Sequence, residues 1–210
     1  MPIYKTITVS QATQVYIWKV IESEAELFKD VVLTKHCQER MLGMKSKMHR
    51  RAFLSIRHLL KLANYEDKDL FYNEFGKPHL VDGKHISITH SHNFTAIIVS
   101  SDKEVGIDIE KQRDKILRIA HKFTPIQEYS TLANSEAIVR KLTTVWGAKE
   151  SLYKIYAQPG LSFLNHIDVK DFSLDDERTT AEILYDGKKS DFEVFFFELE
   201  SFTCVYALKK

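Results

Sequence analysis

Two acidic residues separated by a single residue form the first pattern in this sequence that indicates chemistry. They stand in the run VGIDIE, where Asp108 and Glu110 would point to one face of a strand and Ile107 and Ile109 to the other. Paired carboxylates are the ligands that hard divalent cations prefer. The same spacing also fits a half-buried strand with a polar face, so it leaves both interpretations open.

The longest predicted helix carries a third acid. Trp146, Glu150 and Lys154 are spaced four apart and therefore share one stripe of that helix. In isolation the Glu–Lys pair indicates only a surface ion pair worth about 0.3 kcal/mol. Together, Asp108, Glu110 and Glu150 would form a magnesium site. Without a cation, each close carboxylate pair would cost about 4 kcal/mol at an effective dielectric constant of about 20.

Basic and hydroxyl side chains form a second candidate group, suited to phosphate. Lys77 lies in a turn fixed by glycine and proline, and His90 follows Thr89 at the end of a predicted strand. Arg50 and Arg57 fall on one stripe of a predicted helix, where guanidinium groups can bind phosphate. Each of these residues also fits an exposed turn or a solvated helix face.

The order of apolar periods predicts a mixed α and β chain that alternates β, α, β, α, β. The first predicted elements are strands near 3–9 and 15–17, helices at 22–32 and 36–63, a loop or pair of turns at 73–84, and strands HISITH, FTAIIVSS and EVGIDIE. Those that follow are helical pieces in 115–133, a helix at 135–157, and strands HIDVKDF, TTAEILYD, DFEVFFFELE and SFTCVYALKK. The three central strands are expected in one antiparallel sheet, with a tight connection at 101–103, and the last two strands in a hairpin. Arg51 and Lys149 are expected to be exposed to solvent.

Composition excludes several classes of protein. With 44% hydrophobic residues in 210, the chain has enough apolar side chains for a core. Lys plus Arg is 30 and Asp plus Glu is 29, so no charge excess indicates a nucleic-acid or membrane partner. Cys37 and Cys204 lie far apart, which is typical of free thiols, and no signal peptide or membrane span is evident. We expect a cytoplasmic protein.

Six motifs in order resemble a known family, the 4′-phosphopantetheinyl transferases of the surfactin-synthetase-activating type. They are NEFGKPHL, ISITHSH, VGIDIEKQRD, KFTPIQEYS, WGAKESLYK and GLSFLNHIDV. The matches run from about residue 36 to about residue 170, roughly two thirds of the chain. A G-[IV]-D-x-E motif followed by W-x-x-K-E-x-x-x-K is specific, and the preceding G-K-P makes coincidence a poor explanation.

The resemblance implies a reaction in which a serine of an apo acyl or peptidyl carrier protein attacks the β-phosphate of coenzyme A. The products would be the phosphopantetheinylated carrier and adenosine 3′,5′-bisphosphate. By the same resemblance Asp108, Glu110 and Glu150 would hold Mg²⁺ beside the pyrophosphate. Lys154 would contact the coenzyme and steady the leaving bisphosphate, and Glu150 or a metal-bound water would accept the serine proton.

The resemblance also assigns the adenosine end of coenzyme A to Lys77, Thr89 and His90, with a helix arginine at Arg50 or Arg57. The family usually has serine where this sequence has Thr89, and the added methyl group changes the geometry of that contact.

The fold implied by the resemblance is α+β, with mixed α/β content. It consists of two similar α/β halves with antiparallel sheets, related by a pseudo-twofold, with the site in the cleft between them. We place the halves at residues 1–103 and 104–210, in one compact monomer.

Two other functions fit parts of the sequence. A metal-dependent hydrolase would bind a transition metal through His90, His92, Asp108 and Glu110. A non-enzymatic module would bind a carrier protein through an apolar surface that includes Phe123, Tyr129 and Tyr153, although such aromatic residues more often lie in a core. The hydrolase leaves Lys77 and Lys154 without a role.

Overall fold

The computed structural model describes residues 3–125 and 134–210, which divide into two compact units, Met1–Asp102 and Lys103–Lys210. Each unit has helices packed on an antiparallel sheet, so the prediction of a mixed α+β fold with antiparallel sheets is confirmed. In the described residues, no helix is both long enough and apolar enough to span a membrane.

The first unit contains a four-stranded sheet in the order β1-β2-β6-β5 and a separate two-stranded sheet of β3 and β4. Its elements are β1 (Ile3–Thr8), β2 (Thr13–Lys19), α1 (Glu24–Phe28), α2 (Lys35–Leu42), α3 (Lys47–Leu62), β3 (Leu70–Tyr72), β4 (Pro78–Leu80), β5 (His85–Ser91) and β6 (Phe94–Ser100). Helix α3 packs on β2 and β6, where the predicted apolar face formed by Phe53, Ile56 and Leu60 is buried. This packing makes the core of the unit.

The helix predicted at 36–63 is two helices in the structure. It breaks between Leu42 and Lys47, after Gly43, where the Ser46 side chain accepts a hydrogen bond from the backbone N–H of His49. A hydroxyl that caps the start of α3 stabilises a new helix start at this point. The sequence prediction gave too little weight to the helix-ending effect of Gly43 and to the capping effect of Ser46.

The second unit is a five-stranded antiparallel sheet in the order β7-β11-β10-β9-β8. Its elements are β7 (Val105–Lys111), α4 (Lys115–Ile119), α5 (Ser135–Tyr156), α6 (Phe163–His166), β8 (Ile167–Val169), β9 (Arg178–Tyr185), β10 (Lys188–Leu199) and β11 (Phe202–Lys209). Helix α5 contacts β7, β8 and β11. The side chain of Asn134 caps its first turn. The helix ends at Tyr156, and Ala157, which caps it with a left-handed backbone, lies just before the predicted stop at Pro159 and Gly160.

The placement of EVGIDIE in the central sheet was wrong. HISITH and FTAIIVSS do pair, as β5 and β6, but β6 already lies between β2 and β5 and offers no free edge. EVGIDIE becomes β7 and pairs with β11 instead, 90 or more residues later in the chain, with Asp108 opposite Val205. Such a long-range pairing leaves no local signal in the sequence. The predicted C-terminal hairpin of β10 and β11 is confirmed.

The segment 73–84, predicted as a loop or a pair of turns, contains a short strand between two turns. β4 (Pro78–Leu80) lies inside it and pairs with β3, so the first turn closes a hairpin. Asn73 organises the turn, because its side-chain oxygen accepts hydrogen bonds from the backbone N–H groups of Phe75 and Lys77.

Two glycines allow α5 to lie very close to the sheet. A Cβ added to Gly106 on β7 would lie 1.9 Å from the backbone oxygen of Ser151, and one added to Gly147 on α5 would lie 2.7 Å from Val205 Cγ2. Heavy atoms cannot approach that closely, so both positions require glycine. Each glycine belongs to one of the two sequence motifs that carry the candidate acids.

We therefore expect Gly106→Ala to destabilise the second unit by about 3 kcal/mol or more, because its methyl group would collide with helix backbone rather than with a flexible side chain. The free energy of unfolding in urea measures this effect. Gly43→Ala is the matched control, since its nearest backbone neighbour is 3.5 Å from the added Cβ. Equal stability of the two variants would contradict the close helix–sheet contact.

Candidate active site

The two acids of β7 lie on the strand face that α5 covers. Gly106, two residues before Asp108, contacts Ser151 of the helix, and a Cβ on Gly147 would lie 3.8 Å from Asp108 Oδ2. Side chains two apart share a strand face, so Glu110 points the same way. Asp108 is only 5% exposed, whereas Glu110 is partly exposed. The predicted shared face is therefore the helix-facing one.

Lys154 of α5 is the counterion of Asp108. Its Nζ donates to Asp108 Oδ1 at 2.8 Å and to the backbone oxygen of Ile107 at 2.8 Å. The pair is partly buried, with 27% of the lysine side chain and 7% of the aspartate side chain exposed. A charge-assisted hydrogen bond in this setting fixes the direction of the Asp108 side chain.

Glu150 lies one helical turn before Lys154 and is influenced by both acids of β7. The pKa of Glu150 is raised to about 7, chiefly by burial and next by the negative charge of Asp108. The positive charge of Lys154 lowers this pKa and the negative charge of Glu110 raises it, both by smaller amounts. The structure thus brings the three predicted carboxyl groups within electrostatic reach of one another. A divalent cation would offset both the burial cost and the repulsion.

The three acids do not form a ready-made metal cage. Across residues 3–125 and 134–210, no group of three or more His, Cys, Asp or Glu side chains is close enough to hold an ion. For the acid group, the Lys154 ammonium already occupies one side of Asp108, so cation binding would require a small rearrangement of side chains. The donor types fit magnesium, and the metal assignment stays a prediction.

A cavity of about 130 Å³ opens beside Glu110. Its lining combines basic side chains from the segment after β7 with apolar side chains from α4 and with Trp146 of α5: Glu110, Lys111, Arg113, Lys115, Ile116, Ile119, Thr143 and Trp146. Trp146 thus occupies the same stripe as Glu150 and Lys154, as the spacing predicts. This cavity can accept a group that is partly apolar and partly anionic.

Lys149 is not exposed, contrary to the prediction. It is 2% exposed, and its Nζ donates to the backbone oxygens of Phe123 at 2.6 Å, Phe163 at 2.8 Å and Ile167 at 2.7 Å. The sequence did contain a signal, because Lys149 falls four residues after Val145 and three before Leu152, on the apolar stripe of α5. A lysine on such a stripe is buried when enough acceptors surround it.

The phosphate-type candidates lie in the first unit. Lys77 closes the Asn73 turn immediately before β4, and its backbone oxygen accepts a hydrogen bond from the Asn73 N–H at 3.1 Å. Gly76 in the same turn has φ of +78°, so glycine is needed there. The turn therefore fixes the position from which the Lys77 side chain extends.

Thr89 and His90 stand next to each other near the end of β5 but differ in exposure. Thr89 is 4% exposed, whereas His90 is exposed and its ring lies edge to face against His49, with ring centroids 5.8 Å apart. His49 belongs to the first turn of α3 and directly precedes Arg50. His49 was not among the predicted site residues, because no local pattern in the sequence links it to a strand about 40 residues later.

The arginines of α3 have three different environments. Arg50 keeps 21% of its side chain exposed while its Nε donates to Glu24 at 2.9 Å. Arg51 donates to the backbone oxygens of Glu22 and Val20, so it is not simply solvated. Both remain near the surface, and only Arg50 stands beside His49.

Arg57 is committed to the core of the first unit. It is 5% exposed, its Nε donates to Asp67 Oδ1 at 2.8 Å, and its guanidinium lies 3.4 Å from the centroid of the Phe53 ring. Its other nitrogens donate to the Phe53 backbone oxygen and to Cys37 Sγ. These contacts favour a structural role, so of the two arginines considered for phosphate we retain Arg50.

The aromatic residues of the binding-module hypothesis do not form one exposed surface. Phe123 is 1% exposed and belongs to the core of the second unit, whereas Tyr153 is 36% exposed. Tyr129, together with most of the KFTPIQEYS motif, lies outside the described residues.

Comparisons with known proteins agree with the sequence resemblance. Residues 104–207 match the model of the 4′-phosphopantetheinyl transferase superfamily. A 4′-phosphopantetheinyl transferase of Aneurinibacillus migulanus, named gsp, is 28% identical over 155 residues, which cover 70% of this chain and 62% of that protein. A 4′-phosphopantetheinyl transferase of Bacillus subtilis is 36% identical over 93 residues, 42% of this chain and 41% of that protein. The matches thus span less than two thirds of the length of either relative.

The raised pKa of Glu150 predicts an unusual dependence of stability on pH. The folded pKa of about 7 lies above the ordinary value of 4.5, so the folded chain binds this proton more tightly than the unfolded chain. The stabilisation is present below pH 4.5 and is lost as pH rises towards 7. We expect the free energy of unfolding to fall by about 2 kcal/mol between pH 5 and 8 from this group, after allowance for solvent screening.

Urea denaturation across this pH range, without metal, compares the wild type with Glu150→Gln, which cannot titrate at this position. The variant should lose less stability on the alkaline side, and adding Mg²⁺ at pH 8 should stabilise the wild type more than the variant. Parallel pH profiles for the two proteins would show that Glu150 titrates normally.

Proposed function

We propose that this chain, whose residues 104–207 match the 4′-phosphopantetheinyl transferase superfamily, transfers 4′-phosphopantetheine from coenzyme A to a serine of an apo carrier protein. The observation that carries the proposal is the arrangement in the second unit. Glu150, raised in pKa by burial and by Asp108, stands one turn before Lys154, which holds Asp108. Such a set of acid, base and counterion suits phosphoryl transfer.

The residues of this site can assist both the attack by serine and the departure of the leaving group. The carrier serine oxygen forms a bond to the β-phosphorus, and the bond from that phosphorus to adenosine 3′,5′-bisphosphate breaks. The serine proton passes to the Glu150 carboxylate, whose pKa of about 7 suits a base near neutral pH. Lys154, already directed at the acid pair, stabilises the negative charge of the departing bisphosphate.

Magnesium fits the same group of acids. Asp108, Glu110 and Glu150 are the residues that would hold it, and when bound it would neutralise charge on the pyrophosphate oxygens. The mutual repulsion expressed in the raised pKa of Glu150 supports a cation at this position. The contact with Lys154 fixes the orientation of the Asp108 carboxylate, so this ligand would be in a defined position.

Binding of the adenosine end of coenzyme A is assigned to residues of the first unit. Lys77 extends from a hydrogen-bonded turn, His90 is exposed, and Arg50 directly follows His49, whose ring contacts His90. Thr89 is nearly buried, so its contribution is through its hydroxyl near the strand end rather than through a broad contact. The pseudo-twofold, the cleft, the monomeric state and the cytoplasmic location implied by the resemblance stay predictions.

The direct test is incubation with coenzyme A, Mg²⁺ and a panel of apo carriers, followed by intact mass of the carrier. We expect the wild type to add phosphopantetheine to at least one carrier. Asp108→Asn and Glu150→Gln should lose at least about a hundredfold in rate, roughly 2.7 kcal/mol of barrier, because each removes a charge from the acid group.

Glu136→Gln serves as the control, since Glu136 is an exposed acid in the first turn of the same helix. Full activity of Glu150→Gln, or transfer that continues unchanged with a chelator, would contradict the proposed mechanism. Absence of transfer to every carrier would contradict the proposed function.

Arg50 provides a separate test of the first unit. Arg50→Ala should raise KM for coenzyme A by about tenfold, because a phosphate contact in the ground state and the transition state affects binding more than turnover. Release of adenosine bisphosphate measures the constants. Lys47→Ala, an exposed basic residue of the same helical turn, is the control, and equal KM values for the two variants would remove Arg50 from the site.

A further inference from the structure

Lys149 is a buried charge to which the proposed chemistry gives no role. Its ammonium donates to three backbone oxygens, on Phe123, Phe163 and Ile167. Phe123 lies in the segment after α4, Phe163 begins α6, and Ile167 begins β8, which follows α6 directly. An ammonium group has three donors, and here they are directed at these three carbonyls. One side chain thus ties these segments to α5.

Two of those segments carry the aromatic neighbours of Trp146. Phe123 meets the Trp146 ring edge to face at 5.1 Å between centroids, and Phe163 lies 5.4 Å from the same ring. Phe163 also lies 5.6 Å from Tyr153, which is 36% exposed. We call these four residues, Phe123, Trp146, Phe163 and Tyr153, the aromatic row. Lys149 holds two members of the row through their own backbone oxygens.

The aromatic row borders the cavity beside Glu110, because Trp146 belongs to both. The Trp146 ring therefore forms part of the apolar side of that cavity, together with Ile116 and Ile119. Helix α5 itself is held against the sheet by Gly106 and Gly147, at contacts that do not involve Lys149. Loss of the Lys149 ammonium should consequently release the two phenylalanine segments while it leaves the acids of β7 and α5 in place.

We propose that Lys149 is a positioning residue for the transfer reaction, which holds Phe123 and Phe163 against Trp146 and so shapes the cavity beside Glu110. The inference rests on the proposed function for its kinetic consequence, but its structural consequence is independent of any substrate. A purely structural lysine would stabilise the unit without a preferential effect on Trp146.

Lys141 is the matched control within the same helix. It is also buried, at 9% exposure, and its ammonium donates to Asp171 Oδ1 at 2.6 Å and to the backbone oxygen of Phe172. Its aromatic partner is Phe172, 3.8 Å from its Nζ, which packs on Phe196. Lys141 therefore ties α5 to a neighbouring segment without contacting the aromatic row.

The experiment compares Lys149→Met with Lys141→Met by tryptophan fluorescence and by kinetics. Trp18 lies in the other unit, stacked on His58, and is common to all variants, so differences between spectra report Trp146. We expect Lys149→Met to shift emission to longer wavelength and to increase quenching by acrylamide. We also expect KM for the apo carrier to rise by about tenfold, with kcat changed by no more than about threefold.

Lys141→Met should leave the emission wavelength and the carrier KM at wild-type values. If Lys149→Met does not fold, Lys149→Gln, which keeps two donors, should show the same changes to a smaller extent. An unchanged Trp146 signal in the folded Lys149 variant, or an equal shift in Lys141→Met, would overturn the inference. Because fluorescence needs no substrate, a chain inactive on every carrier would contradict the proposed function and leave this test intact.

Discussion

The close contact between α5 and β7 is the constraint on which the candidate site depends. Gly106 on β7 permits it, since a Cβ there would lie 1.9 Å from the backbone oxygen of Ser151. Gly147 on α5 permits the matching approach to the neighbouring strand β11, since a Cβ there would lie 2.7 Å from Val205 Cγ2. At this separation Lys154 contacts Asp108 directly, and Glu150 is near enough for the charges of both acids of the strand to raise its pKa. A bulkier residue at either glycine would move the helix outward and separate the groups that the chemistry needs.

The electrostatics of the site follow from that contact. Three carboxyl groups and the Lys154 ammonium share a partly buried region, and that ammonium is engaged by Asp108. The remaining negative charge is relieved by proton uptake at Glu150, whose pKa is raised to about 7 by burial first and by Asp108 second. A divalent cation would relieve it in another way, by replacing the proton. With a cation bound, the site would therefore exchange a proton for that cation near neutral pH.

Local patterns in the sequence predicted the elements that carry the acids but not all of their surroundings. The periodicity of α5 and the alternation in β7 placed Glu150, Lys154, Asp108 and Glu110 on the correct faces. The pairing of β7 with β11 was missed, because strand partners distant in sequence leave no local signal. Burial of Arg57 was missed for a related reason, since its partner Asp67 lies outside the helix and only the folded chain brings the two together. Lys149 does fall on the apolar stripe of α5, but the backbone oxygens that allow its burial come from segments that only the folded chain brings together.

The central claim is that Asp108, Glu110 and Glu150 bind one divalent cation. Titration of the metal-free chain with Mn²⁺, monitored by water-proton relaxation and with Mg²⁺ as competitor, measures this directly at pH 8. The account predicts one site in the wild type that Mg²⁺ displaces, unchanged in Glu136→Gln and weakened at least about tenfold in Asp108→Asn and in Glu150→Gln. Equal affinity in all four proteins would contradict it.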